Sequence, residues 1–397
     1  MADSPSSPPH EPSAAPSSAP PSPRPEESPL SVRLRAADDD TLEPEPPLEE
    51  RRAAAETLLT TSLQGYRLVR LLGMGPVSAA FEAVRGVKDA AERAVVRVMV
   101  GSAAGHERAR SLFLRSAYAA NRFNHPRVLP VLGDGLLESG AAYVVRAWAD
   151  AEPLTNVVQA RGKLSEREVL RIAEQLLDAL EMAHSHGIVH GAVTPDNVLI
   201  TERGSMRLAD FAAPPGLPGS RMASELDLLA SRRSGPFAAP ERCAMPPLPP
   251  SEAGDIFAVG AVMFYALTGE APRGTAEGPA LAQTAARSLR DVLPEVGEEL
   301  AQVVDFALRF DPIHRYESAY AMLGDVRRVL AGRKPKLREA VGPSPSSTFD
   351  MPGRAGPSSG SILSVGRRES VASASGRLRC REPGEALSPR QEDAGYS

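Results

Sequence analysis

The side chains able to do chemistry in this sequence gather in one polar loop, Gly187 to Ile200, which reads GIVHGAVTPDNVLI. His190, Thr194, Asp196 and Asn197 lie there, and Asp210-Phe211 follows a short way on. Asp210 and Asn197 offer hard oxygen donors. Two such groups hold a divalent cation only if a ligand's phosphate oxygens complete the shell; otherwise they serve the hydrogen bonding of the loop. Far upstream, Gly73-Met74-Gly75-Pro76 places two glycines where backbone amides can approach a phosphate without a Cβ in the way, although Pro76 removes one donor. The plain alternative is a hairpin turn.

Local patterns show what must position these groups. Ser165 to His186 is apolar at helical spacing, with Ser165 as N-cap, Glu168 completing a capping box and Gly187 ending the helix. A short hairpin pattern separates the loop from Asp210. YRLVRLLG, from Tyr66, alternates as a strand, and SAAFEAVR and ERAVVRVMV read as the second and third. GHERARSLFLRSAYAANRF has helical periodicity. HPRVLPVLGDGLLESGAAYVVRAW reads as two more strands joined at Glu138-Ser139-Gly140, for a five-stranded sheet with one helix. The chain is then mostly helical to about Leu330. AGDIFAVGAVMFYALTGEAP is apolar enough to be a buried central helix, and GEELAQVVDFALRFDP and SAYAMLGDVRRVLAG are the last two. No internal repeat is visible.

Composition narrows the function classes. Lys and Arg number 45 against 50 Asp and Glu, for a net charge of -5 in 397 residues. That balance disfavours nucleic acid or a membrane surface as partner. Cys243 and Cys380 sit far apart with no metal-ligand spacing, so neither a disulfide framework nor a metal site is expected. The N-terminus has no basic start or apolar core, which excludes a secretory signal. The longest apolar run, near Phe257 to Leu267, is shorter than the roughly 20 residues that span a bilayer. A soluble, cytoplasmic protein is the expectation. Thirty-eight Pro and 32 Gly exceed the needs of one compact domain. Residues 1–62 and 333–397 carry much of that excess and are expected to lack a stable fold, apart from a short helix, Glu49 to Leu59. The first serves either as a docking or phosphoacceptor tail or as a solvating spacer.

The order of helix, polar loop, two short strands and Asp-Phe resembles the catalytic region of the eukaryotic-type Ser/Thr protein kinase family, whose loop reads His-Arg-Asp-Leu-Lys-Pro-x-Asn. The resemblance covers about Tyr66 to Leu330. It implies a two-lobed α+β fold: a small lobe of five strands and one helix (63–148), a helical large lobe (149–332), and the two tails. It also implies ATP and Mg²⁺ as cofactors, neither needed for folding. His190, Pro195 and Asn197 stand in register with the family. Gly191 takes the place of Arg, Ala192 that of the catalytic Asp, and Thr194 that of Lys. A methyl group cannot accept the substrate's proton, and Thr194 offers no charge to a phosphoryl group.

The remaining landmarks divide between altered and kept. Gly73 and Gly75 match the glycine-rich loop, with Ser78 at the third position. Arg97 replaces the family's strand lysine, and either touches phosphate or points to solvent. Ser116 falls where the family has the helix Glu that pairs with that lysine; Glu107 lies about two turns upstream. Arg146 falls at the position behind the adenine pocket, just before Ala147 and Trp148, the nucleotide-facing hinge that the resemblance implies. A buried guanidinium needs a partner, so Arg146 is expected to reach into the cleft, pair with Asp210 and stand in for a metal or ligand. A one-residue register slip would instead put it on the surface. Asn197 and Asp210 match the Mg²⁺ ligands. Ala212 replaces the Gly of Asp-Phe-Gly and restricts that turn. His190, Phe211, Glu241, Asp255 and Arg315 match residues that hold the family's frame together.

Between Asp210 and Glu241 lie Ser220, Ser224, Ser231 and Ser234 with Arg232 and Arg233. Gly191 replaces the Arg that would read a phosphate there, so a loop-phosphorylation switch is not expected. Ser370, after Arg367-Arg368-Glu369, resembles a basophilic acceptor site. The favoured function is a pseudokinase with no activity, a regulator or scaffold for a protein partner, either a true kinase or another signalling protein. The alternatives are an active or weakly active Ser/Thr kinase and an ATP-binding sensor that transfers nothing.

Overall fold

The computed structural model describes residues 46–75, 77–86, 91–211, 235–244 and 247–337. Pro76, Ala212, the serines and arginines between Asp210 and Glu241, Ser370, Cys380 and both outer tails lie outside the described residues.

The small lobe is built on α1 (Leu48–Glu56), β1 (Ser62–Leu63), β2 (Tyr66–Met74), β3 (Ser78–Arg85), β4 (Glu92–Met99), α2 (Glu107–Ala117), β5 (Val131–Leu136) and β6 (Ala142–Ala147). The strands form one antiparallel sheet in the order β1-β2-β3-β4-β6-β5. The sheet therefore has six strands, not the expected five. The extra one, β1, is two residues long, too short for any alternation to show in the sequence. It pairs back on β2 through a turn in which Gln64 and Gly65 both take positive φ. The expected boundary at 63 also moves. α1 belongs to this lobe, because Ala55 is fully buried in the cluster of Leu68, Phe81, Val96 and Val145.

The large lobe continues with β7 (Ala151–Pro153), α3 (Leu154–Arg161), α4 (Glu166–Ser185), β8 (Val198–Thr201), β9 (Met206–Leu208), α5 (Pro240–Cys243), α6 (Glu252–Thr268), α7 (Leu289–Val292), α8 (Glu298–Ala307) and α9 (Ala319–Leu330). α4 has the capping box read from its sequence: the Glu168 amide donates to Ser165 Oγ, and the Ser165 amide to the Glu168 carboxylate. The Ser165 hydroxyl, then the Ser165 amide, then Arg161, all donating to the Glu168 carboxylate, hold that carboxyl down at about 2. α6 is apolar on all sides and buried along most of its length, so the lobe packs around it. Gly260 lets α8 come close: a Cβ there would lie 2.9 Å from Ala307 Cβ. At the far end, the backbone amides of Lys336 and Leu337 donate to the buried Asp325 carboxylate, which carries the lobe past the expected limit at 332.

Candidate functional site

A cleft of about 1030 Å³ opens between the sheet and the large lobe. Its roof is the end of β2. Gly73 has open space where a Cβ would go, and the Gly75 amide donates to Ser78 O at 2.7 Å. That amide is thus spent on closing the turn. Arg51 of α1 reaches over this turn and donates to Gly75 O at 3.2 Å, a contact that no local pattern in the sequence announces. Ser78 is buried, and its hydroxyl accepts from Arg97 Nη2 at 2.8 Å.

The back of the cleft is set by strand register. Arg97 of β4 lies opposite Val144 of β6, and Arg146 lies opposite Val95. Side chains two apart on a strand share a face, so Arg97 and Arg146 are diagonal neighbours on the same side of the sheet. Both point at Asp210. Arg97 Nη1 lies 3.2 Å from Asp210 Oδ1 and Arg146 Nη1 lies 3.3 Å from the same oxygen. Asp210 holds φ +60°, an uncommon conformation for a residue with a side chain. Burial pushes the Arg146 guanidinium down from its usual range, Asp210 pulls it up, and Arg97 pushes it down again. Arg146 Nε is buried and has no hydrogen-bond partner among the described residues.

Ser116 does not join this cluster. It is buried in α2, and its hydroxyl donates to Phe113 O at 2.7 Å. Glu107 is exposed at the start of the same helix, about 13 Å along the axis at 1.5 Å per residue. The Arg97 charge is met from Asp210 instead, which sequence reading does not foresee.

The polar loop is braced from below. Asp255, buried in the first turn of α6, accepts from the backbone amides of His190 and Gly191 at 2.8 Å each and contacts His184 Nε2 at 2.9 Å. Gly191 takes φ +69°, a conformation that side chains resist, which suits the glycine found there. Burial works against a charge on His184, but the bond to Asp255 and the charges of Asp255 and Glu252 outweigh it and hold its pKa above the usual value. His190 is fully buried. The Ala192 amide donates to its Nδ1 at 3.2 Å, so the proton sits on Nε2, which donates to Ala209 O at 3.1 Å. Burial lowers the His190 pKa, in keeping with a neutral ring. Phe211 packs against His190 with ring centres 4.3 Å apart.

Ala192 puts only a methyl group on this loop. A cavity of about 20 Å³ beside it is lined by Gly191, Val193 and Asp255, whose carboxylate is already committed to three donors. Thr194 is buried. Asn197 Nδ2 donates to Ala192 O at 2.8 Å. Asp196 lines the cleft and accepts from Thr155 Oγ1 at 2.7 Å. At the hinge, the Ala147 amide donates to Pro130 O, and Trp148 donates to Asp150 at 2.8 Å while Arg93 stacks on its ring at 3.8 Å. Below, Arg315 is fully buried and grips Glu241 with two bonds, 2.8 and 2.9 Å, its other donors meeting Ala253, Arg309 and Phe310 carbonyls. Every donor of that buried cation is satisfied.

A curled sheet and a helical lobe meeting at a cleft, with a braced loop and an Asp-Phe pair at its floor, define the protein kinase fold. The protein kinase domain family matches residues 66–323, and this chain belongs to that family. It is similar to the serine/threonine-protein kinase PknA of Mycobacterium tuberculosis, 28% identical over 300 residues that cover 74% of this chain and 65% of that one. It is also similar to the serine/threonine-protein kinase PrkC of Bacillus subtilis, 27% identical over 266 residues that cover 66% of this chain and 40% of that one. The chain thus spans less than two thirds of the length of these relatives. The crystal structure of the M. tuberculosis PknI kinase domain shares the fold, with a TM-score of 0.53 at 23% identity, over 69% of this chain and 98% of that one.

The family as a whole uses ATP with Mg²⁺, and in this chain Asp210, one of the two residues that match the family's metal ligands, is already held by cations. No group of three or more His, Cys, Asp or Glu placed to hold a metal occurs among the described residues. Asp210 Oδ1 faces two guanidinium groups within 3.3 Å, where a divalent cation would be repelled. Asn197 donates Nδ2 to Ala192 O, which leaves its Oδ1 as the one atom of that side chain able to meet a cation. Among the described residues no helix is long and apolar enough to cross a membrane.

Proposed function

We propose that this chain is a pseudokinase, a kinase-fold regulator or scaffold that binds a protein partner and does not transfer phosphate. On this reading the partner is a true kinase or another signalling protein. The observation that carries the reading is Ala192. The loop is braced in place by Asp255, yet it presents a methyl group where a proton acceptor is needed. Loss of a positioned base costs on the order of 10²–10⁴ in rate. The double hold on Asp210 supports the same reading, because it takes up the carboxylate that a metal would use. The open cleft favours retained ligand binding over a filled, inert core. A cytoplasmic setting suits the buried free thiol of Cys243.

Incubation of the full chain with labelled ATP, Mg²⁺ and a generic protein acceptor tests the reading. The expected result is no label above that of a heat-denatured control, on acceptor or on the chain. Label transferred at the turnover of an ordinary kinase, roughly 1–100 per second, overturns it.

A further inference from the structure

The back of the cleft carries more positive charge than it neutralises. Arg97 and Arg146 share one carboxylate, so two cations face one anion. Their side chains are only 14% and 11% exposed. A charge held that far from water needs compensation, and a carboxylate bridging two guanidinium groups leaves one unit unanswered. The orphaned Nε of Arg146 marks the same place. The other walls do not supply the missing charge: Arg70 and Arg93 pair with Glu82, and Arg93 also with Asp150, so the excess sits at the back, on Arg97 and Arg146. Asp210 is the one carboxylate among the described residues that forms an ion pair with Arg97 or Arg146; Asp150 and Asp196 hold Trp148 and Thr155 elsewhere on the wall.

We propose that Arg97 and Arg146 form an anion floor that takes the phosphate chain of a phosphoryl-bearing ligand directly, with no divalent cation between ligand and protein. Guanidinium groups are well suited to this, because they stay charged and their planar fork matches the oxygens of a phosphate. The two arginines would supply the positive charge that a metal would otherwise bring to the phosphates. Asp210 then competes with the ligand for both forks and is not a ligand to a metal. This rests on the reading of the cleft as a binding site without transfer.

The test uses the full chain, with thermal shift and calorimetric titration of ATP, ADP and tripolyphosphate, each in EDTA and in excess MgCl₂. The expected result is binding in EDTA, with affinity unchanged or weakened several-fold by Mg²⁺, which screens the phosphates. Tripolyphosphate binding as tightly as ATP assigns the recognition to phosphate alone; weaker binding assigns part of it to the base; either supports the proposal. Arg146→Met is expected to lose tenfold or more in affinity. Where that variant does not fold, Arg97→Met, at the more exposed of the two positions, gives the same readout. Asp210→Asn decides between the two electrostatic roles: it should keep or tighten binding, because it removes the carboxylate that competes for both guanidinium groups. Absence of binding by all three anions, binding that requires Mg²⁺, or loss of binding in Asp210→Asn overturns the proposal. None of those results touches the reading that phosphate is not transferred, which the labelling assay alone decides.

Discussion

Replacing Asp255 by Asn tests whether the loop frame rests on one carboxylate. Asp255 is 1% exposed and serves three donors: Gly191 N on Oδ1, and His190 N with His184 Nε2 on Oδ2. Asn keeps one oxygen. In its better orientation that oxygen serves His190 and His184, and the new NH₂ faces the Gly191 amide, donor against donor. A lost bond to a charged acceptor is worth about 1.5–3 kcal/mol, and a stranded buried amide costs a further 1–3 kcal/mol or so. The adjoining cavity of about 20 Å³ admits one water at most and recovers part of this. The expected loss is about 3 kcal/mol, read by urea unfolding of the full chain. The pH dependence supplies a second signature. His184 has a folded pKa above its unfolded value of about 6.5, so its contribution is fully present below that value and fades as pH rises through the folded pKa. His190, its folded pKa lowered by burial, acts in the other window: its contribution is present above about 6.5 and fades as pH falls through the folded pKa. Asp255→Asn should flatten the upper slope. A loss under about 1 kcal/mol with that slope intact would refute the reasoning.

Glu241→Gln leaves the fully buried Arg315 without its counter-charge and should cost about 3–5 kcal/mol in the same unfolding assay. Gly260→Ala places a methyl 2.9 Å from Ala307 Cβ and should cost about 1–3 kcal/mol, with a smaller loss when combined with Ala307→Gly. Ala192→Asp combined with Arg97→Lys restores two family residues but leaves Ser116 and Arg146 in place. The labelling assay should show less than tenfold gain over background, and a strong gain would locate the defect in those two positions alone.

Much of the architecture is legible because it is periodic. The helix from Ser165 and the apolar α6 are written in local spacing and caps, and they fold as read. β1 is invisible in the sequence because two residues have no period. α1 reads as part of the outer tail because its composition is polar; only its contact with the sheet, through Ala55, makes it part of the small lobe. Within the site, the expected partner of Arg146 is the one it has, but the Arg97 contact to the same oxygen comes as an addition. No one-dimensional signal links Arg97 to Asp210.

What the amino-acid order alone decided is the chemistry on offer: a methyl at Ala192, a glycine at Gly191, arginines at 97 and 146, and no acid in the loop besides Asp196. Those are covalent facts, and folding cannot change them. The electrostatics of the cleft were decided in three dimensions. Pairing of β4 with β6 puts both guanidinium groups on one face, and the turn at Asp210 swings the carboxylate between them. A slip of one residue would have turned Arg146 to the other face of the sheet, with the sequence unaltered.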